Sequence, residues 1–251
     1  MTDAPAKPPK TPQNKILGLA MRFGPVAVLV AALIWALSSG VLHHLSLGEL
    51  RDSRFTLHAF VHEHPVEAMA LYIAIYIGVV SLALPGALIM TLSGGFLFGP
   101  WIGGAAALLG CSTGATVTFA VLRLATGDSL EKRANPRIKA FEEGFRKDAF
   151  LYLITLRVIP ITPSWLVNLA AGVIGMPLRT FVLATGLGFI PVSFIYASLG
   201  SGLDGMFDRG EHLGAHTFMA PRILLPLLGL ALLSILPIAH HWWRARRGGK
   251  S

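Results

Sequence analysis

Residues 68–122 carry no charged side chain. A membrane-crossing helix needs roughly 20 apolar residues. These 55 residues are too many for one crossing and too few for three. Two breaks, Pro85-Gly86 and Gly99-Pro100, cut the run into 68–84, 87–98 and 101–122. At 1.5 Å per residue the middle piece reaches only about 18 Å, against a hydrocarbon core of about 30 Å. It is expected to be one arm of a re-entrant hairpin that enters and leaves on the same side. Such a break is tolerated only where protein or a water-filled cavity covers the freed backbone groups. Residues 101–123 then form a full span ending at Arg123.

Composition agrees. The 251 residues are 53% hydrophobic and 14% charged, where a soluble domain is about 25% charged. That excludes a disordered chain, a nucleic-acid-binding domain and an ordinary cytosolic enzyme. Cys111 is the one cysteine, so no internal disulfide or cysteine metal cluster can form. The expected fold is an all-α polytopic membrane protein.

Four regions follow from the pattern: a basic tail over 1–22, a first transmembrane helix and loop over 23–65, a repeat domain over 66–203, and a loop, last span and basic tail over 204–251. The first span is 23–42. It is too long for a signal-peptide core, which runs to about 15 residues. The polar segment 43–67 holds His43, His44, His58, His62 and His64. His58 and His62 would share a helix face, but no third metal ligand follows at motif spacing. A solvated loop or a surface helix is expected there. Residues 126–149 are the most charged stretch, with 137–148 patterned as an amphipathic interfacial helix or a plain loop.

The broken pattern then recurs. An apolar arm, 150–159, meets Pro160-Ile161-Thr162-Pro163, and a second arm, 164–174, meets Gly175-Met176-Pro177. A full helix follows over 179–200, with Pro191 inside it. Residues 201–220 are expected to be a polar loop, and 222–243 the last span. Two matched broken segments, each followed by a full helix, predict an inverted repeat of a re-entrant hairpin plus a transmembrane helix, flanked by N- and C-terminal spans. This is the pattern of a transporter with a site near the midplane.

With crossings at 23–42, 101–123, 179–200 and 222–243, one side collects 17 of the 21 basic residues and the other only Arg51, Arg54, Arg209 and Arg222. Both termini are therefore expected to be cytoplasmic. Compact loops and the ending Gly248-Gly249-Lys250-Ser251 point to a bacterial inner membrane.

Arg157 is the leading site candidate. A guanidinium inside an apolar arm is costly and usually faces a partner or a polar cavity. It suits a phosphate head group, which it can hold through two parallel hydrogen bonds. Snorkelling to the interface is the other reading. Asn168 needs a partner too, either broken backbone or ligand. Pro160, Pro163, Gly95 and Gly172 would shape the hairpin tips beside them. Pro85, Gly86 and Gly99 serve as hairpin residues. Gly110-x-x-x-Gly114 fits a close helix crossing, and Arg123 snorkels at the end of its helix. No nucleophile–base pair, P-loop or dinucleotide fingerprint occurs, so neither an enzyme nor a cofactor or metal is expected.

The stretch Gly94-Gly95-Phe96-Leu97-Phe98-Gly99-Pro100-Trp101-x-Gly103 resembles the first signature of the DedA/SNARE-associated-Golgi (VTT-domain) superfamily. So do Leu109-Gly110-x-x-x-Gly114 and Phe119-x-x-x-Arg123. Arg157-x-x-Pro160-x-x-Pro163, Asn168-x-x-Ala171-Gly172, Phe181-x-x-Ala184-Thr185-x-x-Gly188-x-x-Pro191 and Leu199-Gly200-Ser201 are similar to its second signature. The resemblance implies two facing re-entrant hairpins in a cell-membrane protein. It also implies lipid scrambling or flipping of a polyprenyl-phosphate carrier, in some members coupled to protons. DedA-type members carry acids in the first hairpin, where this chain has Ser81 and Ala87 and no acid between Glu67 and Arg123. A second arginine expected in the second hairpin is replaced by Pro163-Ser164. These departures place the chain nearer the Tvp-type branch and weaken the case for a buried carboxylate that couples protons.

The expected function is therefore movement of lipid, or of a lipid-phosphate carrier such as polyprenyl phosphate, between leaflets, with the phosphate at Arg157 and membrane lipids as partners. Two other readings remain open: an ion or small-solute transporter on the same fold, and a non-transporting scaffold for envelope integrity.

Overall fold

The computed structural model describes residues 12–40, 46–126, 149–157, 164–173 and 176–208. The described residues are helical apart from a few turn and cap positions, without a strand among them. The helices are α1 (Pro12–Ser38), α2 (Leu47–Asp52), α3 (Arg54–Glu63), α4 (Pro65–Ser81), α5 (Ala87–Thr126), α6 (149–157), α7 (Ser164–Val173) and α8 (Leu178–Asp208).

Helix α1 begins earlier than the basic-tail reading allows. Pro12 opens it, a favoured first helical position because that N–H would be unbonded anyway, and helical residues run on through 22. It ends at Ser38, short of the expected 42, where the Ser38 and Ser39 hydroxyls donate to the Trp35 and Ala36 carbonyls. Ala36 is buried, while Val28, Ile34 and Trp35 are exposed. The histidine-rich segment folds into α2 and α3, with Ser46 Oγ capping α2 at the Glu49 N–H. Among the described residues no group of three or more potential metal ligands converges.

Helix α4 stops where Ala83 adopts a left-handed conformation (φ 55°). The Ala83 N–H donates to Val80 O and the Leu84 N–H to Val79 O. This is a Schellman C-cap with alanine in the place that favours glycine. Its accompanying apolar pair, Val79 and Leu84, is buried. The chain then reverses through Pro85-Gly86 into α5, and the Tyr72 hydroxyl donates to Met90 O while that of Tyr76 donates to Ala87 O. The start of α5 therefore runs antiparallel to α4.

The second break is a reversal inside α5. Gly99 sits at φ 79°, ψ 173°, a backbone region that is essentially glycine-only, and Pro100 starts the next segment. Nine residues apart on a straight helix, Gly94 and Gly103 would stand about 13.5 Å from each other. Here a Cβ on Gly103 would collide with the Gly94 carbonyl, so the two segments of α5 fold against one another. The second segment returns parallel to α4. Gly110 packs on Tyr76 and Gly114 on Val80, as the G-x-x-x-G spacing predicts, and Thr118 Oγ1 donates to the Val80 and Ser81 carbonyls.

Helix α8 runs antiparallel to the second segment and crosses the first at close range. Gly95 abuts the Ala197 carbonyl, Gly200 abuts the Leu92 carbonyl, and Gly104 faces Phe194. Phe119 and Phe181 stack at 4.2 Å, both fully buried. The expected polar loop from 201 begins later, because α8 continues to Asp208. Packing overrides polar composition here, since Leu203 is buried with Leu50 and Phe96.

Among the described residues, two helices are long and apolar enough to cross a membrane, Ala87–Ala125 and Leu178–Leu203. Because α5 reverses at Gly99, its crossing part is the segment after Pro100, which at 1.5 Å per residue reaches about 39 Å. Of the other expected spans, 23–42 corresponds to an apolar helical stretch over 23–38, and 222–243 lies outside the described residues. So do the loop and amphipathic segment over 127–148.

Candidate functional site

The three short arms meet around Arg157. This residue ends the described part of α6 and is only 4% exposed. Its Nη2 donates to Asn168 Oδ1 at 2.6 Å on α7 and to Thr185 Oγ1 at 3.2 Å on α8. The guanidinium carbon lies 4.7 Å from the Phe189 ring centre and 5.5 Å from that of Phe181. Gly188 makes room for it, since a Cβ there would come within 2.6 Å of Arg157 Cβ. Arg157 therefore does not snorkel. It is held inside by a glycine, two aromatic rings and two hydrogen bonds.

The compensation is incomplete. A guanidinium has five N–H donors. Nε and Nη1 of Arg157, and Nδ2 of Asn168, are buried without a hydrogen-bond partner among the described residues, and no described carboxylate pairs with the arginine. Hydrogen bonds to a charged group contribute about 1.5–3 kcal/mol each. Placing an arginine mid-helix in a membrane costs about 2.5–3.5 kcal/mol on insertion scales. Two bonds can offset that insertion, but they leave a positive charge and three N–H bonds unanswered.

Arg157 lines a cavity of about 210 Å³. The hydroxyl-bearing residues Tyr76, Thr91, Ser164, Ser193 and Tyr196 line it as well, together with Cys111. Tyr76 and Thr91 are bonded to each other at 2.7 Å. The arrangement is a cationic, hydroxyl-rich chamber with no acid in its lining. It can receive an anion.

The other sequence candidates fall in different places. Asn168 is fully buried beside Arg157. Gly95 and Gly172 do not line the chamber. Gly95 meets Ala197, and a Cβ on Gly172 would lie 3.3 Å from Leu122 Cβ. Pro160 and Pro163 lie outside the described residues. Pro85 and Gly86 form the α4–α5 turn, and Gly99 the reversal in α5. Arg123 is exposed near the end of α5. Its Nη1 donates to the Met176 carbonyl in the break before α8. Sequence reasoning missed Thr185, Tyr76, Thr91, Ser193 and Tyr196. Hydroxyl side chains on otherwise apolar membrane helices were the available signal.

Residues 84–202 match the VTT domain. The chain carries a VTT domain over these residues. Curated relatives carry transmembrane names. The chain is 35% identical over 173 residues to a transmembrane protein 41 homolog of Caenorhabditis elegans, covering 66% of each chain. It is 28% identical over 175 residues to transmembrane protein 41B of Gallus gallus, covering 68% of this chain and 63% of the relative. Against transmembrane protein 41B of Homo sapiens it is 28% identical over 175 residues, covering 68% and 58%. The chain thus spans just under two thirds of these relatives' lengths, or less. No solved structure matches it. With its two apolar spans, this VTT-domain chain is a membrane protein, and the VTT match contains the chamber's α5 and α8 walls but begins after Tyr76.

Proposed function

We propose that this VTT-domain protein moves phospholipid, or a lipid-phosphate carrier, between the leaflets of its membrane, and that Arg157 binds the phosphate. One observation carries the reading. Arg157, whose guanidinium is buried with unanswered donors at Nε and Nη1, lines a chamber whose other lining residues include five with hydroxyls and no acid. A phosphate supplies the missing charge and acceptors together. The antiparallel pairing of α4 with the start of α5, the reversal at Gly99 and the antiparallel run of α8 along the second segment of α5 support two facing re-entrant hairpins related as an inverted repeat. In this reading the chain acts as a transporter rather than an enzyme, with its termini cytoplasmic in a bacterial inner membrane.

The test is lipid exchange in liposomes that hold the purified protein, with a fluorescent phospholipid reduced chemically from outside. Loss of signal beyond the outer leaflet, absent from empty liposomes and abolished by Arg157→Ala without loss of folding, is the expected result. Unchanged exchange in the folded variant would remove Arg157 from the role. Ion flux without lipid exchange would transfer the chamber to a small-solute transporter. No flux of any kind would leave a scaffold.

A further inference from the structure

A second cavity, of about 300 Å³, lies where the charged pair α2–α3 meets the apolar α4–α5 hairpin. Its apolar walls include Leu57 on α3, Leu71 and Ile75 on α4, and Leu97 on α5, and Ser46, Glu49 and Ser53 supply a polar part. Leu71 and Ile75 are about half exposed, so the groove is continuous with the apolar outer face of α4. Its size reaches the range of ligand pockets, roughly 300–1,000 Å³.

Away from the Ser46, Glu49 and Ser53 end, water is a poor occupant. A site holds water where two to four polar partners are unused. Here Ser46 Oγ is engaged in capping α2, Ser93 Oγ donates to the Ile89 carbonyl, and the Met90 carbonyl already accepts from Tyr72. An empty apolar void would forfeit dispersion contacts along its whole lining. Hydrocarbon is what the surroundings offer to a groove opening on the lipid-facing side of α4. At about 30 Å³ for each water-sized group, the space accepts a run of roughly ten methylenes. The polar part belongs to α2 and the α2–α3 junction, where the charged sequence begins, so an amphiphile can keep its head in the interface and its tail between the helices.

We infer that this groove binds one acyl chain of a phospholipid from the surrounding bilayer. Binding here uses no part of the Arg157 chamber. Tyr72 and the Ile89, Met90 and Ser93 positions face the groove, while Tyr76, Ala87, Leu88 and Thr91 face the chamber. The two sites therefore stand back to back across one turn of α4 and the start of α5.

The full-length protein in phosphatidylcholine liposomes doped with a phospholipid bearing a diazirine on its acyl chain is irradiated, and adducts are located by mass spectrometry. Adducts at Leu57, Ile75 and Leu97 are expected. Ser93→Trp, which fills the groove, should cut them at least fivefold while adducts at the exposed Leu109 and Leu183 persist. Leu57→Trp serves as the second plug if Ser93→Trp does not fold. Adducts confined to Leu109, Leu183 and other outward positions, or groove adducts unaffected by either plug, would overturn the inference. Arg157→Ala should leave the groove adducts in place, so failure of the phosphate role and failure of the groove are read separately.

Discussion

Asn168→Asp separates the charge of the chamber from its shape. The substitution keeps the side-chain outline and places a carboxylate oxygen where Asn168 Oδ1 now stands, 2.6 Å from Arg157 Nη2. At an effective dielectric of about 20, an anion about 4 Å from the guanidinium gains about 4 kcal/mol. A neighbouring carboxylate cancels most of that attraction. Since about 1.4 kcal/mol is tenfold, phosphate affinity, and with it lipid exchange, is expected to fall between tenfold and about a thousandfold. Folding should hold, because the new pair answers a charge that neutral partners only partly compensate. The assay is exchange in liposomes alongside thermal unfolding in detergent, with the carboxylate infrared band confirming that the new side chain is ionised. A folded, ionised Asn168→Asp protein that exchanges lipid at the native rate would refute the argument, because an anion site cannot ignore its own neutralisation.

Two further outcomes follow from the backbone. Ala83→Gly removes a Cβ from a left-handed position, where an L-side chain costs roughly 1–2 kcal/mol. Part of that gain is lost to the freer unfolded chain, so thermal unfolding should show a stabilisation of up to about 1 kcal/mol with exchange unchanged, and a destabilised variant would contradict the cap assignment. Gly95→Ala drives a methyl into the Ala197 carbonyl, and overpacking of this kind costs about 1–3 kcal/mol. It should lower the unfolding temperature, whereas Gly186→Ala, with open space at its Cβ position, should leave it nearly unchanged or raise it.

The breaks were the legible part of the fold. Pro85-Gly86 and Gly99-Pro100 are punctuation that the backbone cannot ignore, and both mark reversals in the structure. Arg157 and Asn168 stood out because polar groups in apolar arms are expensive wherever they sit. That they touch is a matter of the α6–α7 packing, which eleven residues of sequence separation do not specify. The chamber's hydroxyls were harder still. Tyr76, Thr91 and Ser193 come from three helices whose relative register is set by glycine contacts such as Gly110 on Tyr76 and Gly95 on Ala197, and each residue alone is common on an apolar helix. The continuation of α8 past 201 was hidden for a related reason. Residues 201–208 look like a loop by composition, and only the burial of Leu203 against Leu50 and Phe96 explains the extra helix.

The reciprocal contact between α5 and α8, Gly95 on the Ala197 carbonyl and Gly200 on the Leu92 carbonyl, constrains how the two halves of such a protein can change over time. Side-chain interfaces drift by compensating swaps, a larger residue on one side answered by a smaller one on the other. Where main chain rests on main chain there is nothing left to shrink, so no partner substitution can rescue a methyl added at Gly95 or Gly200. Chimeras that join the α5 half of one relative to the α8 half of another should therefore assemble only when both parents keep a glycine at these two positions, however well the rest of their surfaces agree.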